Sequence, residues 1–362
     1  MDPVLVFGAT GYTGRLVAEA LEALGRTYII AGRNRQALER LSAELASHPE
    51  VRIADAGDSA SLSTAMAGIR AVVSTVGPFR RLGLPVVRAA VNLGVHYVDT
   101  TGEQTFQRKV YDELHRRAIA TGCTVITGAA FEYSFSYLGA AILHERCGPL
   151  ITVSSYHKVD SFQPTAGTTA SAIGMMGEEF LAFREGRLVP APTSWQPRSV
   201  LFPGEREPLL AVPFPGGDAV MLPLDIPTLQ AATSYVVLPK WPARLLAMTG
   251  VAQPYVRRIL GDRLLDVAET LVRRLHADPP RDLHRASAWT VFVHAQSPSG
   301  SHVCRMNGHD TYTISGVTAA LTAAWLCDGR ARDSGVMTTG KALPAADFLD
   351  ALAPFGVRWE LR

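Results

Sequence analysis

Near the start of the chain, Gly8-Ala9-Thr10-Gly11-Tyr12-Thr13-Gly14 places glycine at every third position. An apolar run, 4–7, precedes it and an amphipathic stretch, 12–24, follows. In a strand–turn–helix setting each glycine meets a separate demand. Gly8 permits a tight turn, Gly11 lets backbone approach a pyrophosphate, and Gly14 lets the helix pack close to the strand. The helix N-terminus adds N–H groups and the positive end of its dipole. The spacing therefore predicts a dinucleotide phosphate site, with Thr10, Tyr12 and Thr13 on the same turn. The next apolar run, 28–31, ends Ala31-Gly32-Arg33-Asn34-Arg35. An NAD site would usually carry a carboxylate here for the ribose hydroxyls. Its absence removes repulsion toward a 2′-phosphate, and Arg33 offers a planar guanidinium, with Asn34 and Arg35 beside it. NADP(H) is the expected cofactor. Asp55, just past the third run, is an adenine contact or a turn residue. Val76-Gly77-Pro78-Phe79 and Asp99-Thr100-Thr101-Gly102-Glu103 follow the fourth and fifth runs. They read as loops at the nicotinamide ribose or as ordinary turns with an N-cap.

The elements that must position these residues follow from periodicity. Apolar runs at 4–7, 28–31, 51–54, 71–76, 95–98 and 124–126 alternate with helical patterns at 12–24, 35–46, 59–67, 85–93 and 106–121. Such alternation predicts a buried parallel sheet with right-handed crossovers. From about residue 150 the texture changes. Residues 151–159 alternate like a strand, and the proline-rich 190–227 reads as loops and edge strands. A helix is expected over 264–275, with Arg273 and Arg274 on a solvated face. Residues 287–294 and 301–306 flank Ser-Pro-Ser-Gly as a hairpin, and helices are expected over 316–327 and 344–352, Pro344 in the first turn of the latter. The expected fold is α/β: an N-terminal Rossmann-type doubly wound parallel sheet plus a second α+β domain with a mixed or antiparallel sheet. The expected divisions are 1–130, 131–310 and 311–362, the last holding helices and a strand that could pack back on the first.

The chain has 362 residues, 47% hydrophobic and 19% charged, enough to bury two cores. A formal net charge of +2 exerts no overall pull toward nucleic acid or acidic membrane. No uncharged apolar run approaches ~20 residues, so no membrane span is expected, and no basic, apolar leader pattern opens the chain. The four cysteines are far apart, without a CxxC pair, and read as buried free thiols of a reducing, cytoplasmic setting. No HExxH, paired-carboxylate or clustered Cys/His pattern argues for a metal.

Three segments, GATGYTGRLVAEAL at 8–21, AGRNRQALERL at 31–41 and VGPFRRLGLPVVRAAVNLGVHYVDTTGE at 76–103, together resemble the saccharopine dehydrogenase-like superfamily, most nearly its trans-acting enoyl reductase branch. The last segment is the most specific; GTTASA at 167–172 and 334–338 are weaker echoes. The resemblance runs to about residue 145. It implies an NAD(P)H-dependent reductase, with Gly8, Gly11, Gly14, Arg33, Gly77 and Pro78 as cofactor contacts. The enoyl reductase branch reduces a conjugated carbon–carbon double bond on a polyketide or lipid intermediate, often carrier-bound. The superfamily also holds amino-acid dehydrogenases that work through imines. One place departs from the family's pattern. Its Gly-Phe-Asp-Ser-Val-Pro-Ser-like turn, expected to face the nicotinamide, here reads Ala130-Phe131-Glu132-Tyr133-Ser134-Phe135-Ser136-Tyr137.

Hydride transfer of this kind needs a proton donor. Tyr133, Glu132, Glu103 and Asp99 fall near strand ends. Tyr156, His157 and Lys158 fall on the first strand of the second domain, His157 facing opposite to the other two. Tyr133 and His157 are the catalytic candidates, His157 being equally a structural histidine. No YxxxK pair at short-chain-dehydrogenase spacing is present. Phe202, Phe214, Met221, Leu222, Leu224, Ile226, Tyr235, Val236 and Val237 could wall an apolar tunnel or form core strands. Three readings stand. One is a reductase of a conjugated apolar acyl or polyketide substrate, with ring closure possible in chemistry after hydride addition. The second is an imine or amino-acid dehydrogenase, with Lys158, Arg184 and Arg187 available for carboxylates. The third is a non-catalytic NADP-binding module. The expected partner is a small-molecule or carrier-bound apolar substrate in a cleft between the two domains; any self-association is expected to be a homodimer.

Overall fold

The computed structural model describes residues 2–161, 163–191, 197–202, 205–241, 243–244, 261, 264–265, 267–272, 275, 278, 280 and 285–362. The chain divides into two units. The first comprises residues up to Ser134 and Thr311–Phe355; the second comprises Phe135–Asp310 and Gly356–Arg362.

In the first unit, strands and helices alternate: β1 (Val4–Phe7), α1 (Tyr12–Ala23), β2 (Tyr28–Gly32), α2 (Arg35–Glu44), β3 (Glu50–Ile53), α3 (Ser59–Ala65), β4 (Ala71–Ser74), α4 (Phe79–Leu93), β5 (His96–Asp99), α5 (Gln104–Thr121) and β6 (Thr124–Ile126). α6 (Phe131–Cys147) begins here and continues into the second unit. After residue 310 the first unit resumes with α9 (Thr311–Cys327), β15 (Gly335–Met337), α10 (Thr339–Ala342) and α11 (Ala345–Ala351). Seven parallel strands form one sheet in the order β15-β6-β5-β4-β1-β2-β3. β1, β2, β4, β5, β6 and β15 are buried at every residue, which is why they read as apolar runs rather than alternations. The chain runs outward in opposite directions from β1, so the switch point lies between β1 and β4, where such sheets bind ligands. This is the doubly wound architecture expected from the sequence.

Two first-unit helices start five or more residues earlier than periodicity predicts. α4 begins at Phe79 rather than 85 and carries Pro85 inside it. Proline there forfeits the bond to the Arg81 carbonyl. The apolar face of Leu84, Val86, Val87, Ala90 and Val91, buried along its length, offsets that loss. α9 begins at Thr311 rather than 316, because burial of Thr311, Tyr312, Ile314 and Ser315 overrides their modest helix propensity. α9 lies against α1 so closely that a Cβ on Gly316 would stand 2.8 Å from Leu16 Cβ and 2.9 Å from the Leu16 carbonyl carbon.

The second unit follows α6 with β7 (Thr152–Val159), α7 (Ala166–Met175), β8 (Leu181–Arg184), β9 (Arg187–Pro190), β10 (Arg198–Val200), β11 (Leu209–Phe214), α8 (Asp218–Asp225), β12 (Ala231–Leu238), β13 (Ala288–Ser297), β14 (Gly300–His309) and, at the chain's end, β16 (Arg358–Leu361). Its nine-stranded sheet runs β10-β11-β12-β7-β13-β14-β16, with β8 also on β12 and β9 on β8. β12 and β7 are parallel and the other pairs antiparallel, the mixed sheet expected from the alternating segments. One face carries an aromatic row, Tyr235 opposite Tyr156 opposite Phe292. The two tyrosine rings stack at 4.8 Å. The other face buries Val153, Ser155, His157, Val291, Val293 and Met306. α6 covers it: a Cβ on Gly139 would meet Val293 Cγ2 at 2.7 Å.

The proline-rich stretch departs from expectation at α8, a helix with Pro223 inside it. Its residues 218–222 are all buried, and that burial outweighs one lost backbone bond. The expected turn at 131–137 is instead the first two turns of α6, since no proline stops the helix there. The described residues of the expected helix over 264–275, namely 264, 265, 267–272 and 275, are helical, while Arg273 and Arg274 lie outside the described residues. Among the described residues no helix is long and apolar enough to cross a membrane.

Candidate cofactor-binding site

The loops after β1, β2, β4, β5 and β6 all leave the carboxyl edge of the first sheet. Gly8 has φ +89°, and a Cβ there would sit 2.7 Å from Val76 Cγ2 and 2.9 Å from Thr75 Oγ1. Gly14 is tighter still: its Cβ would stand 2.2 Å from the Gly8 carbonyl oxygen and 2.8 Å from Ala9 Cα. Gly11 differs. Its φ is −77°, it is exposed, and a Cβ would meet only the Gly8 oxygen, at 3.4 Å. Gly8 and Gly14 are thus required by the protein's own packing, whereas Gly11 leaves an open surface. Gly11 is also the N-cap of α1 and offers no side-chain cap. Thr10 and Gly11 are exposed, Tyr12 and Thr13 half-buried. A turn of bare backbone at a helix N-terminus, kept open at Gly11, fits a pyrophosphate. Thr75 Oγ1 donates to the Phe7 and Gly8 carbonyls at 3.3 and 3.2 Å, holding the turn to the end of β4.

Beyond β2, Arg33, Asn34 and Arg35 are exposed. Asn34 caps α2 by accepting from the Ala37 N–H at 3.1 Å. Arg35 stands 3.6 Å from Glu39. Arg33 pairs with no carboxylate among the described residues. Asp55 forms an Asx turn, accepting from the Gly57 N–H at 2.8 Å.

The other loops are tied together by two buried carboxylates. Asp99 Oδ1 accepts from the N–H groups of Thr101 (3.0 Å) and Gly128 (2.9 Å), linking the loops after β5 and β6. Burial pushes its carboxyl up to about 7 despite those donors. Glu103 accepts from the N–H groups of Phe79 (2.9 Å) and Arg80 (2.6 Å), capping α4 from the neighbouring loop. This fixes Val76, Gly77, Pro78 and Phe79 next to the glycine turn. In the sequence Glu103 reads as a proton donor or as part of a turn with an N-cap; its capping of α4 joins positions 24 residues apart and leaves no local signature. The Tyr133 hydroxyl donates to the Gly102 carbonyl at 3.1 Å, and its ring lies against Gly102 and Gly128. Glu132 is half-buried, and burial raises its carboxyl above the usual range.

His157 lies in the second unit. Its Nε2 is 3.1 Å from Ser136 Oγ, and burial pushes its imidazole down to about 4, so it is neutral at pH 7. On the same face Ser155 Oγ donates to Asp218, whose carboxyl burial pushes up to about 6. Lys158, on the opposite face, pairs with Asp160 and Glu205. Phe202, Tyr235 and Val237 share a core cluster with Tyr156 and Phe292 packed against it, and Met221 and Leu222 are buried on α8. Among the described residues no cluster of His, Cys, Asp or Glu could hold a metal.

Residues 4–126 match the family model for the saccharopine dehydrogenase NADP binding domain. Trans-acting enoyl reductases of Mycobacterium leprae (strain TN) and Mycobacterium bovis (strain BCG / Pasteur 1173P2) are 34% and 36% identical over 148 and 149 residues. Each match takes in 40% of this chain and 35% of the relative, so it spans about a third of those proteins. An apo saccharopine dehydrogenase (L-Glu forming) from Saccharomyces cerevisiae superimposes over 100% of both chains with a TM-score of 0.64 at 13% identity, a likeness of fold. Residues 4–126 are therefore a saccharopine dehydrogenase NADP-binding domain, in a chain with the saccharopine dehydrogenase-like fold.

Proposed function

We propose that the chain is an NADPH-dependent reductase of a conjugated, largely apolar acyl or polyketide-type substrate. The observation that carries the cofactor choice is Arg33, exposed just past β2 and paired with no carboxylate among the described residues. Its guanidinium would bind a 2′-phosphate, while the 8–14 turn would hold the pyrophosphate and Gly77 and Pro78 would flank the nicotinamide ribose. When bound, NADPH supplies a hydride to the electrophilic carbon of the substrate. The names of the relatives matched over residues of this domain support a conjugated carbon–carbon double bond as acceptor.

In this reading Asp99, Glu103 and Tyr133 position rather than protonate. Asp99 and Glu103 are engaged by backbone N–H groups, and the Tyr133 hydroxyl donates a hydrogen bond to the Gly102 carbonyl. Hydride addition to an enoyl group leaves an enolate, which is basic enough to take its proton from water. The imine-dehydrogenase reading needs basic side chains open to a substrate carboxylate. Of Lys158, Arg184 and Arg187, Lys158 is held by two acids and Arg187 stands 3.6 Å from Glu185, while Arg184 pairs with no carboxylate among the described residues.

The test is NADPH oxidation by the full chain with conjugated enoyl thioesters and polyenes, against keto acids plus amines. Oxidation with the conjugated acceptors alone is expected. Oxidation only with keto acid–amine pairs would establish the dehydrogenase instead, and none with any acceptor at saturating NADPH would favour a binding module.

A further inference from the structure

One edge of β12 is paired twice. Ser234–Leu238 pair with β11, and Ala231 and Ala232 pair with β8. Thr233 falls between the two ladders. At this seam opens a cavity of about 330 Å³, lined by Thr233 and, among others, the apolar side chains of Leu181 and Phe214. That volume is at the lower end for small-molecule sites, on the order of 300–1,000 Å³.

Two guanidiniums also line it, Arg184 at the end of β8 and Arg198 at the start of β10. Both are exposed, and neither pairs with a carboxylate among the described residues. Other arginines of the chain do: Arg15 with Glu19 and Glu44, Arg305 with Glu360. Buried Tyr235 completes the wall. The Arg198 guanidinium lies 5.6 Å from its ring centroid. Burial raises the Tyr235 hydroxyl, and the positive fields of Arg198 and Arg184 oppose that. An anion entering the cavity is attracted by both positive charges. Guanidiniums match oxyanions in geometry as well as charge.

We propose that this cavity binds an oxyanion, a phosphate monoester or carboxylate, carried on a small apolar body that occupies the wall of Leu181 and Phe214. The site is independent of the NADP-binding turn and of the reductase reading.

The experiment is calorimetric titration of the full chain at saturating NADPH, which keeps the phosphate turn and Arg33 occupied. The probes are phenyl phosphate, phenylacetate and neutral benzyl alcohol. At least one anion should bind saturably at one equivalent, about tenfold or more tighter than benzyl alcohol. The tighter of the two anions identifies the head group. The Arg184→Gln/Arg198→Gln double variant should lose at least about tenfold of that affinity while keeping NADPH affinity and circular dichroism, since both side chains are exposed. Equal binding of benzyl alcohol, unchanged affinity in the double variant, or no saturable binding of either anion would overturn the proposal. Failure of every acceptor in the NADPH oxidation assay would leave these titrations unaffected.

Discussion

The glycine turn allows its structural and binding roles to be separated by two substitutions three residues apart. Gly14→Ala places a methyl 2.2 Å from the Gly8 carbonyl oxygen and 2.8 Å from the Gly8 carbonyl carbon and Ala9 Cα. All three are backbone atoms, so α1 and the turn must separate by about 1 Å to restore contact distance. Overpacking of this kind costs about 1–3 kcal/mol, and alanine's better helix propensity returns less than about 1. At about 2–4 °C per kcal/mol, the melting temperature should fall by several degrees. Gly11→Ala meets only one atom, at 3.4 Å, with an ordinary φ of −77°. The weaker N-cap and the smaller entropy of the unfolded chain oppose each other, so stability should change by less than about 1 kcal/mol. NADPH affinity should nevertheless drop at least about tenfold, because the methyl occupies the surface left open for the pyrophosphate. Thermal circular dichroism and titration of NADPH fluorescence read the two effects separately. Wild-type NADPH affinity in Gly11→Ala would refute the assignment of the turn as the phosphate site, and an unchanged melting temperature in Gly14→Ala would refute the packing reasoning.

Further expectations concern the loops around that turn. Wild-type protein should bind NADPH about tenfold or more tighter than NADH, ~1.4 kcal/mol, and Arg33→Ala should abolish most of the difference; equal dissociation constants in the wild type would remove Arg33 from the site. Burial holds the Asp99 carboxyl at about 7, above its unfolded value, so the folded chain retains a proton that the unfolded chain releases. This contribution to stability is complete below the unfolded value near pH ~4 and is lost as pH rises through about 7. Asp99→Asn keeps the acceptor for Thr101 and Gly128 without the charge, so its stability relative to wild type should increase from pH 5 to pH 8 in urea unfolding; a constant difference would contradict the shift. Tyr133→Phe should cost about 0.5–1.5 kcal/mol from the lost bond to Gly102, with NADPH affinity unchanged and turnover within about threefold. A hundredfold fall in turnover, ~2.7 kcal/mol, would make Tyr133 the proton donor after all. Glu103→Gln removes the charge that accepts from Phe79 and Arg80 and should cost about 1.5–3 kcal/mol, measured by chemical unfolding.

What the sequence determined by itself is local or periodic. The glycine turn, the apolar strands 4–7 and 28–31 and the helices between them involve neighbours within a few residues, so their signals survive in one dimension. The alternation of 151–159 likewise showed a half-buried strand with His157 facing away from Tyr156 and Lys158, because side chains on a strand alternate. Arg33 was legible for the same reason: it stands at the end of an identifiable strand. Tertiary structure alone decided the contacts between distant segments. Pro85 reads in the sequence as the start of a helix and Pro223 as part of a stretch without one, yet burial of the faces around them keeps both inside helices, α4 and α8. Glu103 caps a helix that begins 24 residues earlier, and Ser155 meets Asp218 across 63 positions. The seam at Thr233, with Arg184 and Arg198 beside it, exists because two strands share one edge of β12. Such pairings impose no period and no fixed spacing on the chain; a buried carboxylate finds its donors, and a glycine its close neighbour, only after the sheet has set which segments are adjacent.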